Sequence, residues 1–357
     1  METAPDLVAL FAQTQALTDQ VKDLKRALAT EQKRHAGERA KKIDIEAALT
    51  RVAEVWFADQ PTPIIPQPSA DRRRKDTEVA VMLYCDPHLG AKGIDYNSEI
   101  ARTRTMRYAD KVCELAAIQR ADHPVRDLRL WMLGDVVQGE LIYPTASYEM
   151  DMTLVNQLTG GGFTTVRDMI LRLLQDFERI HTVVIPGNHG RIGNRKGQVF
   201  HPDTNSDRIL GEILRIAFAN EPRITWTIPH EKADQIGWCA VEQIGNYSAL
   251  LLHGHQFRGG SSGGIPWYGV DKKALRFHHL GGRATGLPPF QDIYCGHYHR
   301  VVKIPSGAVK VRIGGSLQST SPYELQDLAA YTPPAQLLVF VHPEKGIVTS
   351  EHEVYLG

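Results

Sequence analysis

Two patterns of apolar and polar positions divide this chain. In residues 6–57 the apolar positions recur at alternating spacings of four and three, first from Leu17 to Leu28 and again from Ile45 onward. This spacing is typical of amphipathic helices with a coiled-coil-like apolar face. The face predicts either a helical hairpin packed on the rest of the chain or a surface for homo-oligomers or another protein partner.

A proline-rich segment, residues 58–78, separates this region from the rest. Pro61, Pro63, Pro66 and Pro68 favour an extended, semi-rigid chain, because proline fixes its own φ and lacks an amide donor. The basic run 72–75 follows, either as a solvated linker cluster or as a contact for a phosphate backbone. We therefore expect a linker between residues 1–57 and a second region, 79–357.

From Val79 onward, short continuous apolar runs alternate with helix-like segments. Continuous apolar runs are typical of strands that are covered on both faces, and their alternation with helices predicts a layered α/β domain. The predicted strands are 79–84, 128–133, 181–185, 248–252, 292–295 and 309–313, and the predicted helices are 98–120, 164–179 and 207–219.

Composition excludes few classes of protein. The 357 residues are 42% hydrophobic and 23% charged, with a formal net charge of zero, so no general nucleic-acid-binding charge covers the surface. A local basic groove remains compatible with these values. No apolar run reaches the length of about 20 residues that crosses a bilayer, and the first residues lack a signal-peptide pattern. We expect a cytoplasmic protein without a membrane segment.

Five short motifs carry metal-binding side chains, and most of them directly follow a predicted strand. They are Asp86-Pro87-His88, Gly134-Asp135, Gly187-Asn188-His189, His253-Gly254-His255 and Gly296-His297-Tyr298-His299. Carboxylate, imidazole and amide ligands together suit Mn, Fe, Zn or Ni better than Ca. Two such ions can clamp a phosphate and lower the pKa of a bound water. The set predicts a hydrolase for phosphate esters.

The order of these motifs resembles the calcineurin-like metallophosphoesterase superfamily over residues 79–320. The resemblance implies an α/β fold, a four-layer α-β-β-α sandwich, which here carries the N-terminal helical appendage. It also implies two divalent metal ions, for which we expect Mn first, with Fe, Zn or Ni as alternatives.

The resemblance implies a role for each motif residue. Asp86, His88 and His299 would bind the first ion, Asp135 would bridge, and Asn188, His253 and His297 would bind the second. His189 would act as general acid or phosphate contact. An alternative register uses His255 in place of His253; we prefer His253, because it directly follows the apolar strand.

Two branches of the superfamily look nearest. Leu89-Gly90 after the first motif is similar to SbcD-like DNA-repair exonucleases, as is the glycine-serine turn at Gly315-Ser316. Gly190, where those nucleases usually carry Asp, is a departure from them. Phage-encoded phosphoesterases also carry Gly-Asn-His-Gly-Arg and look closer in this respect.

Basic residues near the motifs bear on the substrate. We expect substrate contacts from Arg191, Arg195, Lys196, Lys272 and Lys273. A glycine-rich loop, 259–264, precedes aromatic residues and suits a lid or a platform for a stacked base. The sequence thus predicts a DNA nuclease that acts through metal-activated hydroxide. The alternatives are a small-molecule (cyclic or dinucleotide) phosphodiesterase and a metal-site scaffold that acts through its N-terminal helices.

Overall fold

The computed structural model describes residues 63–140, 149–192, 203–232, 235–283, 286–319 and 331–357. The chain divides into two compact units, Met1–Val55 and Trp56–Gly357. In the first unit only Lys22, Lys25, Arg26, Thr30, Arg51 and Glu54 are described, and all six are helical and exposed. The predicted amphipathic pattern of residues 6–57, and with it the partner surface, otherwise lies outside the described residues.

The second unit contains eleven strands and five helices within its described residues. The strands are β1 (Glu78–Tyr84), β2 (Val125–Met132), β3 (Arg179–Val184), β4 (Ile224–Thr227), β5 (Cys239–Ile244), β6 (Tyr247–Leu252), β7 (Asp292–Cys295), β8 (Val302–Ser306), β9 (Val309–Ile313), β10 (Ala335–His342) and β11 (Ile347–Tyr355). The helices are α1 (Ser98–Gln119), α2 (Leu154–Thr159), α3 (Gly161–Leu173), α4 (Ser206–Ala217) and α5 (Trp267–Leu280).

The strands form two sheets. The first has the order β11-β10-β1-β2-β3-β4, in which β1 to β4 are parallel and β10 and β11 are antiparallel to their neighbours. The second has the order β5-β6-β7-β9-β8, with β6, β7 and β9 parallel. Since parallel strands present their carboxyl ends at one edge, the loops after β1, β2 and β3 leave the first sheet on the same side.

The two sheets pack face to face through one core. Alternate residues of β1 and β10 point into it, because successive side chains of a strand face opposite ways. The residues that meet there include Val79, Val81, Leu83, Val339, Val341, Ala249, Leu251 and Tyr294. The intervening residues of β1 face the helices instead: the Tyr84 hydroxyl lies 2.9 Å from Thr105 Oγ1 on α1.

The outer face of the second sheet is covered by α5. Val270 and Ala274 of this helix share a core with Leu250, Ile293 and Val311 of the sheet. Helices α1 and α3 pack together on the other side of the molecule, over the first sheet. The order of layers is helices, sheet, sheet, helix, and the predicted four-layer sandwich is confirmed.

The described part of the linker is extended and lies against the amino end of the first sheet. Asp71 N–H donates to Glu178 Oε1 at 3.2 Å, and Arg126 Nε donates to Asp71 O at 2.6 Å. Arg72, Arg73 and Arg74 are all exposed, and Arg73 pairs with Asp71 at 2.7 Å. This edge is opposite the carboxyl ends of the strands.

Several predicted boundaries differ from the structure. The helix predicted over 164–179 ends at Leu173, and Arg179 already begins β3. The N-cap of α1 is Asn97, whose Oδ1 accepts from Ile100 N–H at 2.9 Å, and Ser98 is the first helical residue. The basic residues after the glycine-rich loop, Lys272 and Lys273, lie on α5, a helix that the sequence analysis did not predict. None of the described helices combines the length and apolar character needed to cross a membrane.

Candidate metal centre

All five motifs meet where the carboxyl ends of the two sheets face each other. Asp86 and His88 follow β1, Asp135 follows β2, and Asn188 and His189 follow β3 in the first sheet. His253 follows β6, and His297 and His299 follow β7 in the second sheet. The sandwich therefore brings together residues that are more than 200 positions apart in sequence.

One cluster joins the first and last motifs. Asp86, His88 and His299 each offer a ligand atom, and these atoms lie within 4.8 Å of one another. The two Nε2 atoms of His88 and His299 are 3.1 Å apart, and Asp86 Oδ1 lies 3.8 Å and 3.6 Å from them. Two nitrogens and one carboxylate oxygen thus converge on one point.

A second cluster joins the middle motifs. Asp135, His253 and His297 offer ligand atoms within the same 4.8 Å limit. His253 Nε2 lies 3.0 Å from Asp135 Oδ2 and 3.0 Å from Asn188 Oδ1. Asn188 therefore adds an amide oxygen to this cluster.

Asp135 links the two clusters. A third group combines it with His88 of the first cluster and His189. The ring of His189 stands edge-on to the ring of His88, with centroids 4.5 Å apart. Asp135 Oδ1 also accepts from His189 N–H at 2.7 Å. The structure thus places Asp135 between the clusters and His189 beside both.

The chemistry of these donors fits divalent metal ions. Asp86 is fully buried, and its Oδ1 atom has no hydrogen-bond partner among the described residues. A buried carboxylate oxygen without a donor is costly, and a cation removes that cost. Burial and the neighbouring His189 and His299 hold the pKa of His88 well below its ordinary value. Its ring is therefore neutral and able to donate a lone pair.

Hydrogen bonds on the far side of the rings fix which nitrogen faces the clusters. His253 Nδ1 donates to Leu133 O at 2.8 Å, and His88 Nδ1 donates to Gln138 Oε1 at 2.8 Å. Because a carbonyl oxygen only accepts, the Nδ1 atom of His253 must carry the proton and Nε2 is left as the ligand. Metal-binding histidines commonly have such a partner.

Backbone strain is concentrated at these residues. Among described non-glycine residues, only Asp76 and five motif residues have φ in the left-handed region. The five are Asp86 (48°), His88 (46°), Asp135 (49°), His297 (75°) and His299 (54°). Such conformations cost about 1–3 kcal/mol each and persist where surrounding contacts hold them. These backbone conformations turn successive candidate ligands toward one point.

Two motif glycines allow the loops to approach closely. A Cβ on Gly134 (φ +88°) would lie 2.6 Å from His253 Nδ1, and one on Gly187 would lie 2.2 Å from Asp135 N. Both distances are shorter than any tolerated contact, so larger residues would separate the loops that carry Asp135 and Asn188.

Known proteins resemble this chain only remotely. No family profile matches it, and no curated protein matches it. Similar solved structures include a hypothetical protein of Pyrococcus horikoshii OT3 (10% identity, 78% of this chain and 89% of that one, TM-score 0.38) and an archaeal phosphodiesterase (11%, 78% and 100%, 0.32). A third is zinc-complexed Vps29 of Entamoeba histolytica (14%, 79% and 100%, 0.30).

The two-sheet sandwich and the convergence of all five motifs at its edge agree with the fold and motif order that the resemblance to the calcineurin-like metallophosphoesterases implies. Whether the chain is nearest to the SbcD-like nucleases within that superfamily stays a prediction.

Asp207, the second residue of α4, supports the two loops that carry Asp135 and Asn188. Its carboxylate is buried and accepts three amide N–H groups: Asp135 at 3.0 Å, Gly187 at 2.8 Å and Val137 at 3.1 Å. Burial and the nearby Asp135 raise the pKa of Asp207 to about 6. Asp207 is not the helix cap: the N-cap of α4 is Asn205, whose Oδ1 accepts from Asp207 N–H at 2.8 Å.

Gln138 is a second supporting residue, and its role was not predicted. Its side chain holds His88, and its backbone carbonyl lies 3.2 Å from His189 Nδ1. One residue therefore orients two imidazoles. The sequence signal was its place in the same motif loop, four residues after the motif glycine Gly134.

The structure describes three of the five residues that were predicted to contact the substrate, and these three lie in different surroundings. Arg191 Nη2 lies 2.7 Å from His255 Nε2, so it is held at the edge of the second cluster. Burial, together with His253 and Arg191, lowers the pKa of His255 to about 2, which keeps this ring neutral as an acceptor. Arg195 and Lys196 lie outside the described residues. Lys273 donates to Gln256 O at 2.7 Å, and Lys272 is exposed on α5.

The Asp207→Asn variant tests the supporting role of this carboxylate. Asparagine offers one acceptor oxygen to three N–H groups and places an NH₂ among them, so we expect metal affinity to fall roughly 10–100-fold. Isothermal titration of the metal-free protein with Mn²⁺ measures this.

The matched control is Asp292→Asn. Asp292 is likewise a buried acceptor, bound to Lys310 N–H at 3.1 Å and Arg312 Nη1 at 2.6 Å, at the opposite end of β7 from the ligands. We expect lower thermal stability with unchanged Mn²⁺ affinity. Equal metal affinities for both variants would contradict the role given to Asp207.

Metal binding should strengthen with rising pH. Burial by itself would lower the pKa of His253, but the Asp135 carboxylate raises it from 6.5 to about 9. In the metal-free protein the charged pair contributes its full stability below pH 6.5 and loses it as pH rises through about 9. A ligand must be neutral, so we expect Mn²⁺ affinity to rise by about tenfold from pH 7 to 8.

Calorimetry in buffers of different ionisation enthalpy measures the proton that His253 releases. The His253→Asn variant keeps a polar ligand without a titrating group and should show a flatter pH dependence. Affinity independent of pH in the unaltered protein would contradict the charged His253–Asp135 pair.

Proposed function

We propose that this chain is a dinuclear metal-dependent phosphodiesterase that hydrolyses nucleic acid, with DNA as the expected substrate. The observation that carries the proposal is that Asp135 belongs to two ligand groups, one with His253 and His297 and one with His88 of the first cluster and His189. A carboxylate with one oxygen toward each cluster is what a pair of ions about 3.5–4 Å apart requires.

The residues would hold the ions as the resemblance implies. Asp86, His88 and His299 form one set, Asn188, His253 and His297 form the other, and Asp135 is shared. When bound, two divalent ions, with Mn expected first and Fe, Zn or Ni as alternatives, would supply an activated water and offset charge on the phosphate oxygens. The buried walls of the clusters exclude bulk water and strengthen every charge interaction there.

His189 is the residue we assign to the leaving group. Its Nδ1 lies 3.2 Å from the carbonyl of Gln138, which can only accept, so Nδ1 carries a proton. To act as general acid the ring must carry a second proton on Nε2; it gives this proton to the departing sugar oxygen and is left neutral, with Nδ1 still protonated. The bond from His189 N–H to Asp135 Oδ1 holds the loop in place.

Arg191 would contact the phosphate. Its guanidinium is fixed by the neutral His255 ring rather than by a carboxylate, so its positive charge is not neutralised by that partner. A guanidinium in this position suits a phosphate oxygen. Arg195 and Lys196 stay predicted contacts with the substrate.

The division of the chain into residues 1–57, 58–78 and 79–357 also stays a prediction, as does a partner surface on the first region.

The first test is release of labelled nucleotides from DNA with Mn²⁺. We expect cleavage that EDTA abolishes and that His299→Ala reduces at least about 100-fold, because the first cluster loses a ligand. His352→Ala, which removes an imidazole on β11, is the matched control and should retain activity.

The result that would contradict a DNA nuclease is absence of cleavage by protein that contains metal. Hydrolysis of cyclic or dinucleotides by the same preparation would then assign the centre to small-molecule diesters.

A second test separates the role of His189 from metal binding. For His189→Asn we expect a loss of about 10²–10⁴ on a DNA diester, whose alkoxide needs a proton, and a much smaller loss on a 4-nitrophenyl diester. Metal content should stay at the level of the unaltered protein. Equal losses on both substrates with full metal content would contradict the general-acid role, and loss of metal would make His189 a ligand.

A further inference from the structure

The outer helix of the second sheet has one face without a covering element among the described residues. Val270 and Ala274 are buried against the sheet. Tyr268, Lys272, Leu275, Arg276 and His279 are all exposed. Their spacings of four, seven, eight and eleven place them on one side of α5. We call these five residues the α5 face.

The α5 face is cationic. Lys272 and Arg276 form no ion pair with any carboxylate that the structure describes. Asp271, the one acidic residue of the helix, accepts from Ser306 Oγ at 2.8 Å and is half-buried. In a chain with a formal net charge of zero, such a local excess of positive charge favours a polyanionic ligand.

Aromatic surface lies at the amino end of the same face. Tyr268 is 72% exposed and Trp267 is 43% exposed. Lys272 Nζ lies 5.7 Å from the centre of the Tyr268 ring, and Trp267 Nε1 donates to Ser262 O at 3.1 Å. An exposed ring beside cations is the combination on which unpaired bases stack while their phosphates are neutralised.

The helix is joined to the metal centre by direct contacts. Lys273 Nζ donates to Gln256 O at 2.7 Å, and Gln256 Oε1 accepts from Gly254 N–H at 3.0 Å. Tyr298 OH, between the ligands His297 and His299, donates to Gly254 O at 3.0 Å. The loop that follows His253 is therefore packed between α5 and the last motif, through Lys273, the residue next to Lys272 of the α5 face.

We propose that the α5 face binds a single-stranded segment of the nucleic-acid substrate, with a base on Tyr268 and phosphates against Lys272 and Arg276. This proposal rests on the proposed function and specifies the form of its substrate. A duplex offers no free base face to an exposed ring, because its bases are stacked on each other. Stacking on Tyr268 therefore requires an unpaired strand.

Fluorescence anisotropy of the full chain in EDTA, with a labelled single-stranded oligonucleotide, tests the proposal without catalysis. For Lys272→Ala/Arg276→Ala, loss of two phosphate contacts should reduce the slope of log affinity against log salt by about 1.4. For Tyr268→Ala, affinity should fall by about tenfold with the salt slope unchanged. A duplex of the same sequence should bind more weakly than the single strand.

The matched control is Lys111→Ala/Arg215→Ala. It also removes two exposed cations, on α1 and α4, where each pairs with a glutamate of its own helix. We expect its salt slope to equal that of the unaltered chain. Equal slopes for the two double variants would overturn the proposal. Tighter binding of the duplex than of the single strand would also overturn it. So would a Lys272→Ala/Arg276→Ala variant that loses self-association and keeps its affinity for the oligonucleotide.

Hydrolysis of a 4-nitrophenyl diester with Mn²⁺ separates this proposal from the function on which it rests. Retained diester hydrolysis with lost oligonucleotide binding in Lys272→Ala/Arg276→Ala supports the α5 face. An unaltered chain that hydrolyses the diester and binds no oligonucleotide overturns the α5 face and leaves the phosphodiesterase standing. Binding without hydrolysis contradicts the phosphodiesterase alone.

Discussion

The structure depends on the compensation of buried negative charge. Asp86 and Asp135 are both buried, at 0% and 1% exposure, and belong to clusters that share His88 as a neighbour. Burial raises the pKa of Asp86 well above its ordinary value, and the nearby Asp135 raises it further. Burial opposes ionisation of Asp135 too, yet His253 and His189 hold its pKa well below the ordinary range. Divalent cations between these groups would satisfy both carboxylates at once.

The rest of the domain delivers ligands to that point and holds them there. Parallel strands in each sheet end at the same edge, so five loops converge without long connections. The cost is backbone strain at five candidate ligand positions. Hydrogen bonds offset it: Asp207 binds three amides of two loops, and Asp86 Oδ2 accepts from His297 N–H at 2.7 Å. Rigid loops of this kind pre-organise a site before any ion or substrate arrives.

Sequence patterns predicted six of the eleven described strands and missed β10, which is buried along its whole length. The ends of helices were predicted less accurately. The predicted strands 292–295 and 309–313 coincide with β7 and β9. Helix α3 stops six residues before the predicted end, since Phe177 is buried in the turn into β3 and prolongs the apolar pattern. Helix α5 was missed because half of its surface is polar and exposed. Motif order indicated which residues would meet at the site. The role of Gln138 and the left-handed backbone of five motif residues were not predicted, because both depend on contacts between residues that are distant in sequence.

The most direct test of the dinuclear centre is a crystal structure of the Mn²⁺-loaded protein with anomalous scattering measured at the manganese edge. We expect two anomalous peaks about 3.5–4 Å apart, both within bonding distance of Asp135. His253 Nε2 and Asn188 Oδ1 should contact one ion, and His88 Nε2 and His299 Nε2 the other. A single ion, or ions bound away from Asp135, would contradict the dinuclear centre.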